Sequence, residues 1–343
     1  MLEAAENILP FGRSEDKASV EAAHPLSRSP SVPENEFLAA LTSHLAKSLP
    51  SKKHSLHDAA QHHFKSPGKM LRSRLALAAC LKKGMPKQAA LDWAVAIELL
   101  HNASLVHDDI CDNDRLRRDL PSLWAAYGQP LAICFGDWLI GKSFELAAQA
   151  QAITGAPLTA LMARTMSDLS TGQAAEFNGT ELPDCEAYLS IVGGKTTPLF
   201  MAAIEGAFFA GDPLPAEDIQ TCRKMFEHIG FAYQIANDIE NHKALKAGAE
   251  TGDLLRGAPN AVYIMYRALL TDEKRTAFDH WQKSENKHYA EHWLNDIAAS
   301  EAETLTYGQF ADHLAALKLY QAKLSPTVAA LVAPIGDYLS GTK

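Results

Sequence analysis

The sequence predicts an all-α protein, and three observations lead to that prediction. From Glu36 onward the chain is an almost continuous series of Ala- and Leu-rich segments whose apolar residues recur with helical spacing. Short stretches with Gly, Pro or Asp separate these segments, and no segment has the clear two-residue alternation of a strand. Several segments are apolar on most sides, which is typical of helices packed around a central helix in one bundle.

The breaks set the order and the length of the predicted helices. They lie at residues 66–69, 82–87, 119–122, 127–130, 153–158, 178–184, 211–215 and 256–260. We assign residues 35–343 to one helical domain. Residues 1–34 mix Pro, Ser, Glu and Ala without a sustained period. We expect a disordered tail there, because so little apolar surface cannot offset the entropy of ordering it.

Composition excludes some classes of partner. The formal net charge of -9 argues against nonspecific binding of nucleic acid, which needs a surplus of Lys and Arg. The five cysteines show no CxxC spacing and are odd in number, as expected for buried thiols in a reducing compartment. No apolar stretch approaches the ~20 residues that span a bilayer, and the N-terminus lacks the layout of a signal peptide. We therefore expect a cytoplasmic protein that is not an integral membrane protein.

The strongest chemical signal is the segment ELLHNASLVHDDICDNDRLRR at residues 98–118. Glu98, His101, Leu105, Asp108 and Asp112 follow one another at intervals of three or four residues, so they share one face of a helix, with Asp109 about 100° away from Asp108. Such carboxylates would repel one another unless a cation lay between them. Mg²⁺ takes oxygen ligands and bridges to substrate phosphates, so this pattern favours a metal–diphosphate site over a solvated acidic face.

A basic block precedes this acidic one. Lys69 and Arg72 follow a Pro-Gly break at the start of an apolar helix. A helix N-terminus adds partial positive charge, and Arg offers a fork of donors to phosphate oxygens, so the pair can form an anion site. The alternative is an ordinary solvated pair on the surface.

A second candidate anion site lies at residues 193–198, GGKTTP, where Lys195 accompanies two hydroxyl groups. Upstream, Gln173 and Glu176 belong to TGQAAE. Paired glycines can expose backbone near a ligand. The segment is not a P-loop, because the G-x-x-x-x-G-K-[ST] frame is missing. The alternative is a Gly-Gly turn between helices with a surface lysine.

A further helical face is predicted within HIGFAYQIANDIENHK. Phe231, Gln234, Asp238 and Asn241 recur at three and four residues, with Asn237 adjacent. This face could belong to a second helix that binds metal.

Four histidines near the start of the helical region suggest a different metal cluster. They are His54, His57, His62 and His63. No carboxylate pattern or fixed His spacing accompanies them, so we favour a solvated helix start.

Taken in order, these motifs resemble those of the trans-isoprenyl diphosphate synthases, the farnesyl and geranylgeranyl diphosphate synthase family. The resembling features are GK-x-x-R, E-x-x-H-x-x-S-L-x-H-D-D-x-x-D, RR, GDWL, GQ-x-x-E, GKT and YQI-x-ND, between about residues 60 and 262. The resemblance implies the isoprenoid synthase fold, a single-domain antiparallel helical bundle around a central cavity, and a homodimer. It also implies a Mg²⁺-dependent prenyltransferase that condenses isopentenyl diphosphate with an allylic prenyl diphosphate.

The same resemblance implies roles for individual residues. The implied isopentenyl diphosphate site consists of Lys69, Arg72, His101 and Arg118. The implied groups for the allylic diphosphate are Arg117, Lys195, Thr196 and Gln234. The implied metal positions are Asp108, Asp109, Asp112, Asn237 and Asp238. The catalytic groups among them would be Asp108, Asp112, Arg117 and Lys195.

The chain departs from the family pattern at its second acidic motif. The family has Asp-Asp-x-x-Asp there, whereas this chain has Asn at positions 237 and 241. Further on, Ala258 and Asn260 stand where Lys and Thr are expected. Three interpretations follow: a working elongase, a terpene-synthase-like enzyme that ionises a prenyl diphosphate, or a non-catalytic subunit that modulates a partner synthase. We favour elongation, because the intact cations are difficult to explain without a phosphate to bind.

Product length is predicted from the residues before the first acidic motif. Bulky aromatic side chains there close the product tunnel early in the family, and this chain has Ala103 and Ser104. We expect a longer product such as geranylgeranyl diphosphate. The alternative is that these small residues let helices pack closely.

Overall fold

The chain folds almost entirely into α-helices in its computed structural model, which describes residues 34–66, 68–118, 120–177, 182–209, 213–249, 252–284 and 288–339. The earlier helices are α1 (Glu34–Ser48), α2 (His57–His63), α3 (Leu71–Lys82), α4 (Lys87–Cys111), α5 (Leu123–Tyr127), α6 (Gln129–Thr154) and α7 (Leu158–Phe177). The later helices are α8 (Cys185–Phe209), α9 (Ala216–Lys246), α10 (Asp253–Arg256), α11 (Ala261–Leu269), α12 (Asp272–Lys283), α13 (Ala290–Ala299), α14 (Ala302–Gln321) and α15 (Pro326–Leu339). The predicted all-α class is confirmed, and each predicted break includes a junction between two of these helices, although several breaks also take in the last or first residues of the helices beside them.

Strand structure in the described residues is limited to a short antiparallel ribbon after α4. Its strands are β1 (Leu116–Arg117) and β2 (Leu120–Pro121). Leu116 pairs with Pro121, and Arg117 pairs with Leu120. The ribbon falls at the break that the sequence marks at residues 119–122. It reverses the chain just after the acidic motif.

Contacts within the chain divide it into two compact units. The amino-terminal unit contains the described residues up to Arg164 together with the described part of Ala202–Leu214. The carboxy-terminal unit contains Thr165–Met201 and the described residues from Pro215 onward. The predicted tail falls outside the described residues except for its last position. That tail and the single domain over residues 35–343 remain predictions.

Helix α4 forms the centre of the amino-terminal unit. Its side chains Trp93 and Ile97 are completely buried, and α3 and α6 pack against it. Burying a side chain of this size stabilises the folded state by roughly 1.5–3 kcal/mol. The contact with α6 is closest at Gly136, where an added Cβ would lie 2.1 Å from His107 Nε2. A glycine is therefore required beside His107, which directly precedes Asp108.

One prediction about α4 needs correction. The helix has 25 residues, and its most apolar window has a mean hydropathy of 1.2, so it meets the length and composition of a membrane span. Polar residues such as Glu98, His101 and Asn102 interrupt the apolar run of this helix, so no uninterrupted apolar stretch of that length occurs in it. However, 83% of that window is buried inside the structure, as in the core helix of a globular unit. Length and composition alone are weak evidence for a membrane span.

The core of the carboxy-terminal unit is aromatic. Tyr263, Tyr266 and Phe278 are at most 1% exposed. Trp281 and Trp293 pack in the same cluster, with ring centroids 6.0 Å apart. Aromatic side chains bury large areas and favour such edge-on or tilted contacts. Helices α9, α11, α12, α13 and α14 contribute to this core, which supports the start of α11 beside the second motif.

Candidate active site

The first acidic motif lies at the C-terminal end of α4, as its spacing predicts. Asp108 and Asp112 are partly exposed, whereas Asp109 is 1% exposed. The three carboxylates therefore have different environments. Asp108 and Asp112 remain accessible on one face of the chain, and Asp109 turns inward.

Asp109 pairs with Arg117 of β1. Arg117 Nε donates a hydrogen bond of 2.7 Å to Asp109 Oδ1. Burial raises the pKa of Asp109, and the neighbouring guanidinium opposes that rise. Asp109 Oδ2 is buried and accepts no hydrogen bond from the described residues. The ion pair thus holds Arg117 beside the acidic motif, and the short ribbon is the element that brings it there.

Arg118 lies against the Pro-Gly break that precedes α3. Its guanidinium donates to the backbone oxygen of Ser66. A Cβ at Gly68 would lie 2.6 Å from Arg118 Nη2, and Gly68 has a φ of +71°. The positive φ favours glycine here, and a side chain at this position would also displace the Arg118 guanidinium. The structure therefore brings Arg118 onto the loop that carries Lys69, although 49 positions separate the two residues in the sequence.

Arg72 of α3 meets His101 of α4. Arg72 Nη1 donates to His101 Nε2 over 3.4 Å. Burial and the nearby cation Arg72 lower the pKa of His101 well below its ordinary value. A neutral imidazole can accept the hydrogen bond from Arg72, which a protonated one could not. These two predicted substrate-binding residues are in contact.

A buried carboxylate lies next to this pair. Glu98 is 2% exposed and accepts hydrogen bonds from Ser73 Oγ at 2.7 Å and from Asn102 Nδ2 at 3.1 Å. Burial raises the pKa of Glu98, while Ser73 and the positive charge of Arg72 counteract that rise. The sequence places Glu98 on the motif face. Its burial depends on the packing of α3 and could not be predicted from spacing.

His62 and His63 also lie at this site, although the sequence favours a solvated helix start for them. A small concavity is lined by His62, His63, Ser66, Asp109, Arg117 and Arg118, among other residues. His63 Nε2 donates to Asn102 Oδ1 at 3.0 Å. Burial lowers the pKa of His63 to about 4. The solvated interpretation is therefore wrong for His63, because α2 packs its last turn against the site.

In the carboxy-terminal unit, the Gly-Gly segment is part of a continuous helix. Gly193 and Gly194 lie inside α8, not in a turn. A Cβ on Gly172 of α7 would lie 2.5 Å from the backbone carbon of Gly194. The glycines therefore permit a close contact between α7 and α8.

This helix contact positions a predicted diphosphate-binding residue. Lys195 Nζ donates to Glu176 Oε2 over 2.6 Å, and Gln173 Nε2 lies 3.3 Å from the same oxygen. Thr196 faces Gly230 of α9, where an added Cβ would lie 3.0 Å from Thr196 Cβ. Lys195 and Thr196 both lie on α8, and the close packing of α8 against α7 and α9 holds them in position.

The second motif lies on α9, where Asp238 is 2% exposed. Its Oδ1 accepts from Gln234 Nε2 at 2.8 Å. Its Oδ2 accepts from Tyr188 Oη and from the backbone nitrogen of Ala261, each at 2.6 Å. Burial raises the pKa of Asp238 to about 7, although these hydrogen bonds oppose the rise. No signal in the sequence identified Tyr188.

Asn237 and Asn241 flank this carboxylate and are partly buried. Asn241 Oδ1 accepts a hydrogen bond from the backbone nitrogen of Asp253 at 3.0 Å. Among the described residues, no three His, Cys, Asp or Glu side chains converge as a metal site would require. The predicted metal positions remain predictions.

Comparison with known proteins adds independent information on the family. The family model for polyprenyl synthetase matches residues 53–297. The geranylgeranyl diphosphate synthase of Sulfolobus acidocaldarius is 35% identical over 193 residues, which cover 54% of this chain and 57% of that protein. The short chain isoprenyl diphosphate synthase of Methanocaldococcus jannaschii is 28% identical over 234 residues, covering 67% and 71%. The matches thus span between about half and three quarters of these relatives.

Solved structures share the fold. The decaprenyl diphosphate synthase of Rhodobacter capsulatus has a TM-score of 0.75 at 23% identity, covering 90% of this chain and 96% of that one. The geranylgeranyl pyrophosphate synthetase of Pyrococcus horikoshii has a TM-score of 0.72 at 24% identity, covering 89% and 96%. The helical fold, the order of the motifs and the match over residues 53–297 agree, and the chain belongs to the polyprenyl synthetase family.

Proposed function

We propose that this protein is a Mg²⁺-dependent prenyltransferase that joins isopentenyl diphosphate to an allylic diphosphate and forms a trans-polyprenyl diphosphate. The observation that carries the proposal is the basic concavity in the amino-terminal unit. There Arg117 and Arg118 meet beside the motif that holds Asp108 and Asp112. The names of the relatives, which include geranylgeranyl and farnesyl diphosphate synthases, support the same chemistry.

The residues of the first motif fit a hard cation. Asp108 and Asp112 are partly exposed carboxylates one helical turn apart, and Mg²⁺ commonly uses one or two carboxylates plus phosphate oxygens and water. Bound there, the metal would neutralise negative charge on the departing diphosphate. These two residues would therefore hold the cation on the allylic side.

We assign different cationic side chains to the two diphosphate substrates. In the amino-terminal unit, Arg117, fixed by Asp109, is the group that we assign to an allylic diphosphate. In the carboxy-terminal unit, Lys195, Thr196 and Gln234 are the groups suited to bind a diphosphate. Lys69, Arg72 and Arg118 bind isopentenyl diphosphate through charge-assisted hydrogen bonds. His101 stays neutral and orients the guanidinium of Arg72. The Arg72 guanidinium can then offer its N–H donors to the phosphate oxygens, and the buried Glu98 carboxyl lies close to this pair.

Apolar surroundings complete the proposed mechanism. An allylic cation is quenched by water, so the growing chain needs a dry wall. Ala103 of α4 is 1% exposed and Val106 is equally buried, so this part of α4 is shielded from water. We propose geranylgeranyl diphosphate as the product on the basis of the small side chains at positions 103 and 104.

The proposed assembly and location are a homodimer in the cytoplasm. None of the five described cysteines forms a disulfide, which supports a reducing compartment. Cys111 and Cys134 are exposed, so the expectation of buried thiols is wrong for these two. Light scattering on the 37.3 kDa chain tests the dimer, which should give about twice that mass. A monomeric mass would contradict it.

Product identification tests the proposed reaction. The purified protein is incubated with Mg²⁺, isopentenyl diphosphate and, in turn, dimethylallyl, geranyl or farnesyl diphosphate, and the products are identified by mass. We expect a diphosphate that is longer than the primer by whole isoprene units. A hydrocarbon or alcohol would favour the terpene-synthase-like alternative. Unchanged substrates would favour a non-catalytic subunit, and either result would refute elongation.

A further inference from the structure

The polar side chains of the second motif make hydrogen bonds within the carboxy-terminal unit. Asp238 accepts three hydrogen bonds, from the side chains of Gln234 and Tyr188 and from the backbone of Ala261. A carboxylate has about four acceptor positions, so one remains. At 2% exposure, that position faces packed protein. Mg²⁺ dehydrates reluctantly and keeps several waters, for which such a position offers no space.

The donors that contact Asp238 also disfavour a cation. The amide Nε2 of Gln234 lies 2.8 Å from Oδ1, and its hydrogens point at the oxygen. A metal ion at this oxygen would have to displace that amide. The hydroxyl of Tyr188 and the Ala261 amide protect the other oxygen in the same way, each at 2.6 Å.

The remaining positions of the motif offer no accessible carboxylate on this face. Position 237 carries a neutral amide, and Ile239 is 5% exposed in the core. Glu240 is exposed and pairs with Lys243 at 3.2 Å. Asn241 uses its carbonyl oxygen to accept from the backbone of Asp253, at the first residue of α10.

Two departures from the family pattern belong to one network. Asn260 Nδ2 donates to the backbone oxygen of Asp238 at 3.1 Å and to Asp253 Oδ2 at 2.9 Å. Asn260 Oδ1 caps α11 by accepting from the nitrogen of Val262 at 2.9 Å. Asn241 binds the other end of the same segment. The asparagines at positions 241 and 260 therefore fasten residues 253–260 to α9 from both ends.

We propose that the second motif of this protein is a structural hydrogen-bond network that fastens α10 and the start of α11 to α9, and that it binds no divalent cation. Asp238 is its central acceptor, and Asn241 and Asn260 are positioning residues. This inference rests on the proposed function only in taking Asp108 and Asp112 as the cation ligands. Asp108 and Asp112 of the first motif are then the protein ligands of every divalent ion that the protein binds together with a diphosphate.

Counting bound Mn²⁺ tests this inference without measuring activity. Mn²⁺ replaces Mg²⁺ in oxygen sites and is detected by electron paramagnetic resonance. The full chain is titrated with Mn²⁺ in the presence of inorganic pyrophosphate. The variants are Asn237→Ala and Asp238→Asn in the second motif and Asp108→Asn in the first. Asn237→Ala removes only a partly exposed amide, so it keeps the test valid if Asp238→Asn does not fold.

The expected result is an unchanged number of Mn²⁺ ions in Asn237→Ala and Asp238→Asn, with affinity within about twofold of the parent, and a loss of at least one ion in Asp108→Asn. The loss of one ion, or an affinity decrease of about tenfold or more, in either second-motif variant would overturn the inference. That result would leave the proposed function intact. If the parent protein bound no Mn²⁺ with pyrophosphate, the proposed function would fail, and the assignment of all cations to the first motif would fail with it.

Thermal unfolding tests the structural half of the inference. Asn241→Ala and Tyr188→Phe each remove one bond of the network and should lower the melting temperature by about 2–4 °C. The matched control is Asn237→Ala, which removes an amide of the same motif and should change it by less than about 1 °C. Equal melting temperatures for all three variants and the parent would refute the network.

Discussion

A single methyl group added to Gly172 should separate the two helices that position Lys195. The Cβ of Gly172→Ala would lie 2.5 Å from the Gly194 carbon, 2.7 Å from its oxygen and 2.8 Å from the Lys195 nitrogen. All three are backbone atoms, so none can rotate away. Since ordinary Cβ contacts begin near 3.4 Å, α7 and α8 must move apart by roughly 1 Å.

The energetic cost follows from two opposing effects. Overpacking of this kind costs about 1–3 kcal/mol, because neighbouring backbone has to shift. Replacing Gly by Ala inside a helix favours folding by roughly 0.5–1 kcal/mol. We therefore expect Gly172→Ala to lower the free energy of unfolding by about 1–2 kcal/mol. The movement also strains the 2.6 Å ion pair between Lys195 and Glu176, so turnover should decrease.

Urea denaturation gives the stability, and Gly141→Ala provides the matched control. Gly141 lies inside α6, and an added Cβ there would meet nothing within 4 Å. This control should be neutral or more stable by up to about 1 kcal/mol, because only the helix preference changes. If Gly172→Ala is as stable as Gly141→Ala, the close contact between α7 and α8 does not exist as described.

Three further predictions concern pH, an ion pair and product length. The pKa of His63 is about 4 in the folded chain, below the ordinary 6.5, so only the unfolded chain binds the proton between these values. The free energy of unfolding should therefore decrease by about 2–3 kcal/mol as pH falls from 6.5 to 4, and His63→Gln should reduce that decrease in urea titrations. Arg117→Ala leaves the buried Asp109 carboxylate without its ion-pair partner and should cost about 3 kcal/mol, part of which Asp109→Asn restores in the double variant. A loss below about 0.5 kcal/mol would show that the pair is not buried. Ala103→Phe should shorten the prenyl product measured by mass, and an unchanged product distribution would show that the tunnel does not pass position 103.

The helices and the first motif could be predicted because their signals are local. Apolar periodicity and Gly-Pro breaks depend on neighbouring residues, and the spacing of Asp108 and Asp112 follows from helical geometry. The same spacing placed Glu98 on the motif face. It gave no indication that Ser73 of another helix would bury that carboxylate.

The rest of the site depends on contacts that are distant in the sequence. Asp238 and Tyr188 are 50 residues apart, so the motif pattern alone suggests a metal ligand where the structure shows an internal acceptor. His63 was assigned to solvent because polar residues at helix starts usually lie there. By composition alone the Gly193–Gly194 pair could be a turn, whereas in the structure it lies inside a helix whose backbone packs closely against Gly172. In each case the environment of the residue depends on a side chain or backbone of another helix.

The central claim is that Asp108 and Asp112 hold a divalent cation against the diphosphate of the allylic substrate. A crystal structure with Mg²⁺ and an unreactive allylic thiolodiphosphate tests it most directly. The account predicts a cation about 2.0–2.1 Å from carboxylate oxygens of these two residues and from diphosphate oxygens. A bound diphosphate with no cation at either carboxylate, or both carboxylates turned into bulk solvent, would contradict it.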